Sequence, residues 1–185
     1  MKETSNKKLL LKNAKIYDGG TDDAFIGDVL VQGDRIVEVA STITTDDECE
    51  IIDLNGLSLA PGFIDAHSHN DWFALRKDSG KYFAPFIKQG ITTFVSGNCG
   101  LSATGFADNT PHKDIIGGGL FFFKDGEPKG QVKDYLEAAD RNMPCNLAVL
   151  AGHCTARASA SGSASRKLTA DEEKEMLDVL EQSLQ

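Results

Sequence analysis

The chain has 185 residues, 41% of them hydrophobic, and a formal net charge of -9 at pH 7. This charge argues against nucleic acid or an anionic membrane as a partner, because both attract a basic surface. No stretch is long and apolar enough to span a bilayer, and the run Leu9-Leu10-Leu11 is too short for the core of a signal peptide. We therefore expect an acidic globular protein of the cytoplasm.

Short strands joined by tight turns are predicted for residues 8–60. A hairpin is predicted over 28–39, where two β-branched runs flank Gly33, and a second is suggested over 51–59 around Asn55-Gly56. So few short strands form a thin sheet with a weak core. This portion is therefore expected to need a neighbour to pack on.

From Pro61 onward the pattern becomes strand, helix, strand. Strands are predicted over 64–67, 91–96 and 146–151, and helices over 84–89 and 131–142. A closing helix begins with a capping box formed by Thr169 and Glu172. Its predicted apolar face consists of Met176, Leu177, Leu180 and Leu184. Strands that alternate with helices imply a parallel sheet, whose functional side chains lie at the carboxyl ends of the strands.

The apolar period of the closing helix is still running at Gln185. Three parallel strands cannot close a barrel, which needs about eight. We therefore expect the chain to be a fragment.

Polar clusters follow each of the three predicted strands: His67 with His69, Gly97 to Gly100, and Gly152 to Thr155. Read as a strand, the first stretch alternates its side chains between faces, so His67 and His69 point the same way, as half of a metal site. The alternative is a hydrogen-bonded histidine pair near a surface loop. Neighbouring strands lie about 4.8 Å apart, so Cys99 could reach a metal that the two histidines hold. Zinc at such a site would lower the pKa of a bound water to about 7 and polarise a carbonyl, the two tasks of amide hydrolysis.

Other candidate residues have competing interpretations. Asp65 either supports a metal ligand or only forms a hydrogen bond at the end of a strand. His153 is expected to support the fold or a ligand rather than to bind metal itself. The four cysteines include no C-x-x-C pair and fit reduced thiols or one metal thiolate better than disulfides. Cys49, Cys145 and Cys154 are expected to be small buried residues.

The segment from 103 to 129 is too long for a plain connector. It contains Gly117-Gly118-Gly119 and Phe121-Phe122-Phe123. Two functions are open for it, a lid over an active site or a patch that packs on a partner subunit.

The stretch Pro61-Gly62-Phe63-Ile64-Asp65-Ala66-His67-Ser68-His69 resembles the first-strand signature of the amidohydrolase superfamily. The runs at 90–93, 97–100 (Gly-Asn-Cys-Gly) and 146–153 together resemble the N-acyl-D-amino-acid deacylase (D-aminoacylase) family, over nearly the whole chain. This resemblance implies an α/β fold: a small β-sandwich portion over 1–60, then an incomplete (β/α)8 TIM-type barrel over 61–185. One local departure is Ala156, where the family pattern has a leucine.

By the family pattern, His67 and His69 bind one metal position and Cys99 is a zinc ligand. Two further histidines and the catalytic aspartate would lie beyond residue 185, so no catalytic residue is assigned within the chain. The function implied is zinc-dependent hydrolysis of N-acyl-D-amino acids, which are small-molecule substrates, and the 185-residue chain alone is expected to be inactive. The alternatives are an amidohydrolase of cyclic amides, hydantoinase-like or dihydroorotase-like, and a non-catalytic metal-binding or interaction module. The sequence makes no prediction of oligomeric state.

Overall fold

A computed structural model describes residues 7–20, 23–45, 48–116, 128–140 and 142–184. The chain divides into two compact units, Met1–Pro61 and Gly62–Gln185. The glycine and phenylalanine runs at 117–119 and 121–123 lie outside the described residues. Within the described ranges, no helix has both the length and the apolar character needed to cross a membrane.

The first unit is a five-stranded sheet in the order β3-β2-β1-β4, with β5 also beside β1. Its strands are β1 (Lys8–Ile16), β2 (Phe25–Gln32), β3 (Arg35–Ala40), β4 (Cys49–Asp53) and β5 (Ser58–Leu59). The hairpin predicted over 28–39 is confirmed, because β2 and β3 pair antiparallel. The hairpin suggested over 51–59 is wrong, because β4 and β5 both pair with β1, in parallel.

An irregularity in β1 explains this error. Asn13 adopts a left-handed φ of 54° between the two halves of the strand, where the pairing register shifts. Its carbonyl accepts a hydrogen bond from the N–H of Gly56 at 2.7 Å, and its side-chain amide donates to Asp53 at 3.0 Å. The Asn55-Gly56 turn is therefore anchored on β1, and each flanking strand pairs with a different half of β1 instead of with the other.

The second unit is built on a parallel sheet in the order β6-β7-β8. Its strands are β6 (Phe63–Asp65), β7 (Ile91–Ser96) and β8 (Asn146–Val149), and its helices are α1 (Ser79–Lys88), α2 (Val132–Ala139), α3 (His153–Ser161) and α4 (Ala170–Gln182). Short 3₁₀ helices span Asn70–Phe73 and Lys113–Ile115. The predicted alternation of parallel strands and helices is confirmed, whereas α3 was not predicted.

The core of the second unit surrounds its central strand. Phe94 of β7 is fully buried and stacks on Phe83 of α1, with ring centroids 5.5 Å apart. Tyr135 of α2 and Phe106 from the loop after β7 belong to the same buried cluster. Residues from the helices and from the long loop therefore close over the middle of the sheet, and this packing fixes the position of its carboxyl end.

The predicted capping box of the last helix is confirmed. Thr169 Oγ accepts the N–H of Glu172, and the Glu172 carboxylate accepts the N–H of Thr169 at 2.7 Å. The predicted apolar face is wrong in part, because Leu177 is 54% and Leu184 88% exposed. The buried residue of α4 is Val179, which the predicted face omitted.

The Glu172 carboxylate gives a testable pH dependence. A hydrogen-bonded ion pair with Arg166 at 2.7 Å, assisted by the Thr169 N–H, lowers the pKa of Glu172 from its ordinary 4.5 to about 2. Because the folded pKa lies below the unfolded one, this carboxylate stabilises the fold above pH 4.5 and loses that contribution as the pH falls toward 2. We expect the carboxyl resonance of Glu172 to titrate near pH 2 by NMR.

The variant Arg166→Gln is expected to move this midpoint upward, toward 4.5. The matched control is Arg35→Gln, which removes an exposed arginine beside Asp34 in the first unit and should leave the midpoint unchanged. A wild-type midpoint near 4.5 would contradict the prediction.

Candidate metal centre

The two histidines lie beyond the first parallel strand and not within it. The strand β6 ends at Asp65, whose carboxylate accepts the backbone N–H of His67 at 3.1 Å. This local hydrogen bond turns the chain out of the sheet. His69 then immediately precedes the 3₁₀ helix Asn70–Phe73. The prediction of a strand that continues through His67 is therefore wrong, and alternation along a strand is not what orients the two rings.

The turn after β6 nevertheless brings both rings to Cys99, which lies in the loop after β7. Cys99 Sγ is 3.5 Å from His69 Nε2, and the ring centroids of His67 and His69 are 5.5 Å apart. One ligand atom from each of the three residues lies within 4.8 Å of the others. In the part of the chain that the structure describes, this is the only such cluster of three histidine, cysteine or acidic side chains.

The spacing of these atoms fits one metal ion. Zinc binds histidine nitrogen at about 2.0–2.1 Å and cysteine sulfur at about 2.3 Å, so two ligands of a tetrahedral site are roughly 3.5 Å apart. The sulfur and nitrogen atoms of Cys99 and His69 already have this separation. His67 and Cys99 are exposed and His69 is half-buried, so an ion can reach all three.

Cross-loop hydrogen bonds hold together the two segments that carry the candidate ligands. Three such bonds join them: Ser68 N–H to the Val95 carbonyl at 2.9 Å, the Asn98 side-chain amide to the Ala66 carbonyl, and Ala103 N–H to Asp71 Oδ2 at 2.8 Å. They lie on both sides of each candidate ligand along the chain. These hydrogen bonds fix the backbone around the cluster, as a preorganised metal site requires.

Two further predicted residues are placed near the cluster but outside it. Asp65 acts on the backbone of His67, through the hydrogen bond described above. His153 is the first residue of α3, and its side chain is exposed. Neither side chain belongs to the ligand cluster found among the described residues.

The cysteines other than Cys99 are less buried than expected. All four cysteines are free thiols, in agreement with the expectation of no disulfide framework. Cys49 and Cys145 are half-buried, whereas Cys154 is exposed in the first turn of α3. The expectation of burial is therefore wrong, most clearly for Cys154. The reason is that α3 buries its neighbours Thr155 and Ala156 instead.

Residues 50–184 match the family model described as the amidohydrolase family. The chain belongs to the amidohydrolase family. The family expected from the first-strand motif is thereby confirmed.

Relatives of this amidohydrolase chain include D-aminoacylases and an N-acyl-D-glutamate deacylase. The D-aminoacylase of Alcaligenes xylosoxydans xylosoxydans is 34% identical over 181 residues, which are 95% of this chain and 35% of that protein. A solved D-aminoacylase with a binuclear metal center aligns with a TM-score of 0.76 and 32% identity, over 95% of this chain and 36% of that one. The N-acyl-D-glutamate deacylase from Bordetella bronchiseptica, solved with zinc and a phosphonate inhibitor, has a TM-score of 0.67, 27% identity and the same coverage.

The amidohydrolase chain spans about a third of the length of these relatives. Its structure corresponds to about 36% of the solved D-aminoacylase chain. The expected α/β fold with an incomplete barrel is confirmed by this similarity.

Sequence reasoning missed a buried aspartate beside the candidate site of this amidohydrolase. Asp71, two residues after His69, is only 1% exposed. Burial raises the pKa of its carboxyl from 3.8 to about 6, and the hydrogen bond from the Ala103 N–H acts in the opposite direction. The signal that could have identified it is its position directly before the apolar pair Trp72-Phe73, since a carboxylate that is buried together with apolar neighbours needs a partner.

Proposed function

We propose that this chain carries His67, His69 and Cys99 as metal ligands of a zinc-dependent enzyme that hydrolyses the amide bond of N-acyl-D-amino acids. The observation that carries the proposal is the convergence of two imidazoles and one thiol, with a sulfur-to-nitrogen distance of 3.5 Å. The relatives supply the reaction class, because they are D-aminoacylases and a zinc-bound deacylase.

The residues of the chain have distinct tasks in this proposal. A bound zinc ion would supply Lewis-acid chemistry, by polarising the amide carbonyl and activating water. The Cys99 thiolate would contribute one negative charge, whereas neutral His67 and His69 would contribute none, so the site keeps a net positive charge toward the carbonyl oxygen. The exposure of His67 and Cys99 leaves the outer side of the cluster open to a substrate.

In this proposal, the remaining parts of such an enzyme lie outside the matched third of the relatives. This chain matches about a third of each relative. We place the general base and the groups that bind the substrate carboxylate in the other two thirds.

We also propose a domain boundary after residue 60, with a β-sandwich portion before it and the start of the barrel after it. The two compact units, which divide after Pro61, support this boundary. We also propose a cytoplasmic location, as expected from the sequence.

The test has two stages, because metal binding and turnover involve different parts of the protein. First, the 185-residue chain is dialysed against zinc and its metal content is measured, with one equivalent expected. Second, the whole product of the source gene is assayed on N-acyl-D-amino acids, their L-enantiomers, hydantoins and dihydroorotate. We expect cleavage of the D-compounds alone, lost on chelation, and no turnover by the 185-residue chain.

Other outcomes would replace the proposal. Turnover of the cyclic amides alone would favour the hydantoinase-like or dihydroorotase-like alternative. Metal binding by a gene product that ends at residue 185 and cleaves nothing would favour a non-catalytic module. A wild-type protein without zinc would remove the proposed site.

A further inference from the structure

We infer that Asp71 is a positioning residue of the proposed metal site, whose carboxylate holds the chain after Cys99 against the chain after His69. The inference rests on the proposed function, since it takes His67, His69 and Cys99 as ligands. Asp71 touches neither a substrate nor an ion in this proposal. It acts through the backbone of the two ligand-bearing segments.

The hydrogen bond that carries this role is short and buried. Asp71 Oδ2 accepts the N–H of Ala103 at 2.8 Å, and Ala103 is itself only 2% exposed. Asp71 follows His69 by two residues, and Ala103 follows Cys99 by four. Few rotatable bonds therefore separate the hydrogen bond from either ligand, and a shift at Ala103 is transmitted to Cys99.

The backbone of Asp71 is also held in place by the core of the second unit. Its backbone carbonyl accepts the hydroxyl of Tyr135 at 2.7 Å and the N–H of Ala74 at 3.0 Å. Tyr135 belongs to α2 and is 1% exposed. Because the core holds the backbone of Asp71, the carboxylate is a rigid acceptor for the loop that carries Cys99.

Loss of this acceptor has a defined consequence. Without it, the N–H of Ala103 is buried and unpaired, so the loop relaxes to reach another acceptor or water. The ligand atoms of Cys99 and His69 are already at the separation that one ion requires, so relaxation can only disturb it. Removal of partners that orient metal ligands typically lowers metal affinity by about 10–100-fold.

The test uses Co²⁺ as the probe, because a cobalt–thiolate bond gives a charge-transfer absorption in the near ultraviolet. Asp71→Ala is expected to lower the Co²⁺ affinity of the chain by about 10–100-fold and to weaken this absorption per bound ion. Asp71→Asn is expected to retain both properties, because the amide oxygen can still accept the N–H of Ala103. Wild-type affinity and absorption in Asp71→Ala would overturn the inference.

A matched control separates positioning from general stability. Asp28 of the first unit is also buried, and its carboxylate accepts the backbone N–H groups of Asn13 and Ile43, each at 2.9 Å. Asp28→Ala is expected to lower the thermal unfolding temperature without changing Co²⁺ affinity or absorption. An equal loss of Co²⁺ affinity in this control would show that the effect of Asp71→Ala is general destabilisation, and would overturn the inference.

A measurement on the wild type keeps the inference testable if Asp71→Ala does not fold. If the Asp71–Ala103 hydrogen bond favours metal binding, metal binding must favour the hydrogen bond by the same factor. We expect saturating Zn²⁺ to slow hydrogen exchange of the Ala103 amide in the wild type and not in Cys99→Ala. Unchanged exchange in the wild type would overturn the inference.

The two levels of proposal fail differently. A wild-type chain that binds Co²⁺ without the thiolate absorption, or does not bind it, refutes the proposed ligand set and the inference with it. A wild-type chain that shows the absorption, beside an Asp71→Ala variant that is indistinguishable from it, refutes only the positioning role.

Discussion

Replacement of Cys99 by alanine is expected to lower the zinc affinity of the chain by at least about a hundredfold. Zinc sites with four protein ligands bind with roughly 10–16 kcal/mol, which is about 3 kcal/mol for each ligand. Each 1.4 kcal/mol corresponds to about a tenfold change in affinity. Cys99 is also the charged donor of the cluster once it is deprotonated, so its removal takes away both a ligand and a charge. Competition with a chromophoric chelator measures the affinity directly.

A second cysteine of the same unit provides the control. Cys154 is exposed and lies outside the ligand cluster, so Cys154→Ser is expected to bind zinc with wild-type affinity. This variant also shows whether the loss in Cys99→Ala reflects the thiol count or the position. Wild-type affinity in Cys99→Ala, or an equal loss in Cys154→Ser, would contradict the assignment of Cys99 as a ligand.

Local sequence pattern alone predicts the bounds of the central strand. A strand was predicted over 91–96, and β7 spans Ile91–Ser96. The prediction succeeds because Gly90 and Gly97 bound a short run rich in β-branched residues, and both glycines adopt positive φ angles. Here the local preference and the tertiary structure agree, so no information from elsewhere in the chain is needed.

Local sequence pattern does not predict helix α3. Its sequence, residues 153–161, consists largely of small and polar residues and has no apolar stripe of the kind that predicts a helix. The helix is set instead by contacts with the loop after β7. Thr155 donates its N–H to the Gly100 carbonyl at 3.0 Å, and its hydroxyl accepts the N–H of Ser102 at 2.9 Å. These partners are more than fifty residues away in sequence, so no local pattern records them.

The sequence predicts which residues form the candidate site, but not the contacts that position them. The motifs name His67, His69 and Cys99, and the structure brings these three residues together. Strand alternation does not orient the two histidines, because the strand ends before them. The role of Asp71 depends on the position of Ala103, a residue whose identity carries no chemical signal. Long-range hydrogen bonds to backbone groups of this kind leave little trace in a single sequence.

The loop that carries Cys99 begins with a glycine that no other residue can replace without strain. This residue, Gly97, lies between the end of β7 and Asn98 along the chain. It is buried and has a φ of 89°. A side chain there would adopt an unfavourable left-handed backbone conformation. A Cβ at this position would also overlap the carbonyl oxygen of Leu150, which follows the neighbouring strand β8. That obstacle is backbone, so a change of rotamer cannot relieve it.

Gly97→Ala is therefore expected to destabilise the second unit by at least about 2 kcal/mol, because left-handed strain alone costs about 1–2 kcal/mol and the overlap adds to it. Gly80→Ala is the matched control. Gly80 lies in α1, and an added Cβ there would meet no atom within 4 Å apart from its chain neighbours and the adjacent helix backbone, so this change should be neutral or stabilise by up to about 1 kcal/mol. Urea unfolding measures both variants, and equal stabilities would contradict the prediction. In folded Gly97→Ala, the displaced loop should also carry Cys99 away from His69, so the zinc affinity of this variant is expected to fall. The zinc affinity of Gly80→Ala is expected to stay at the wild-type value.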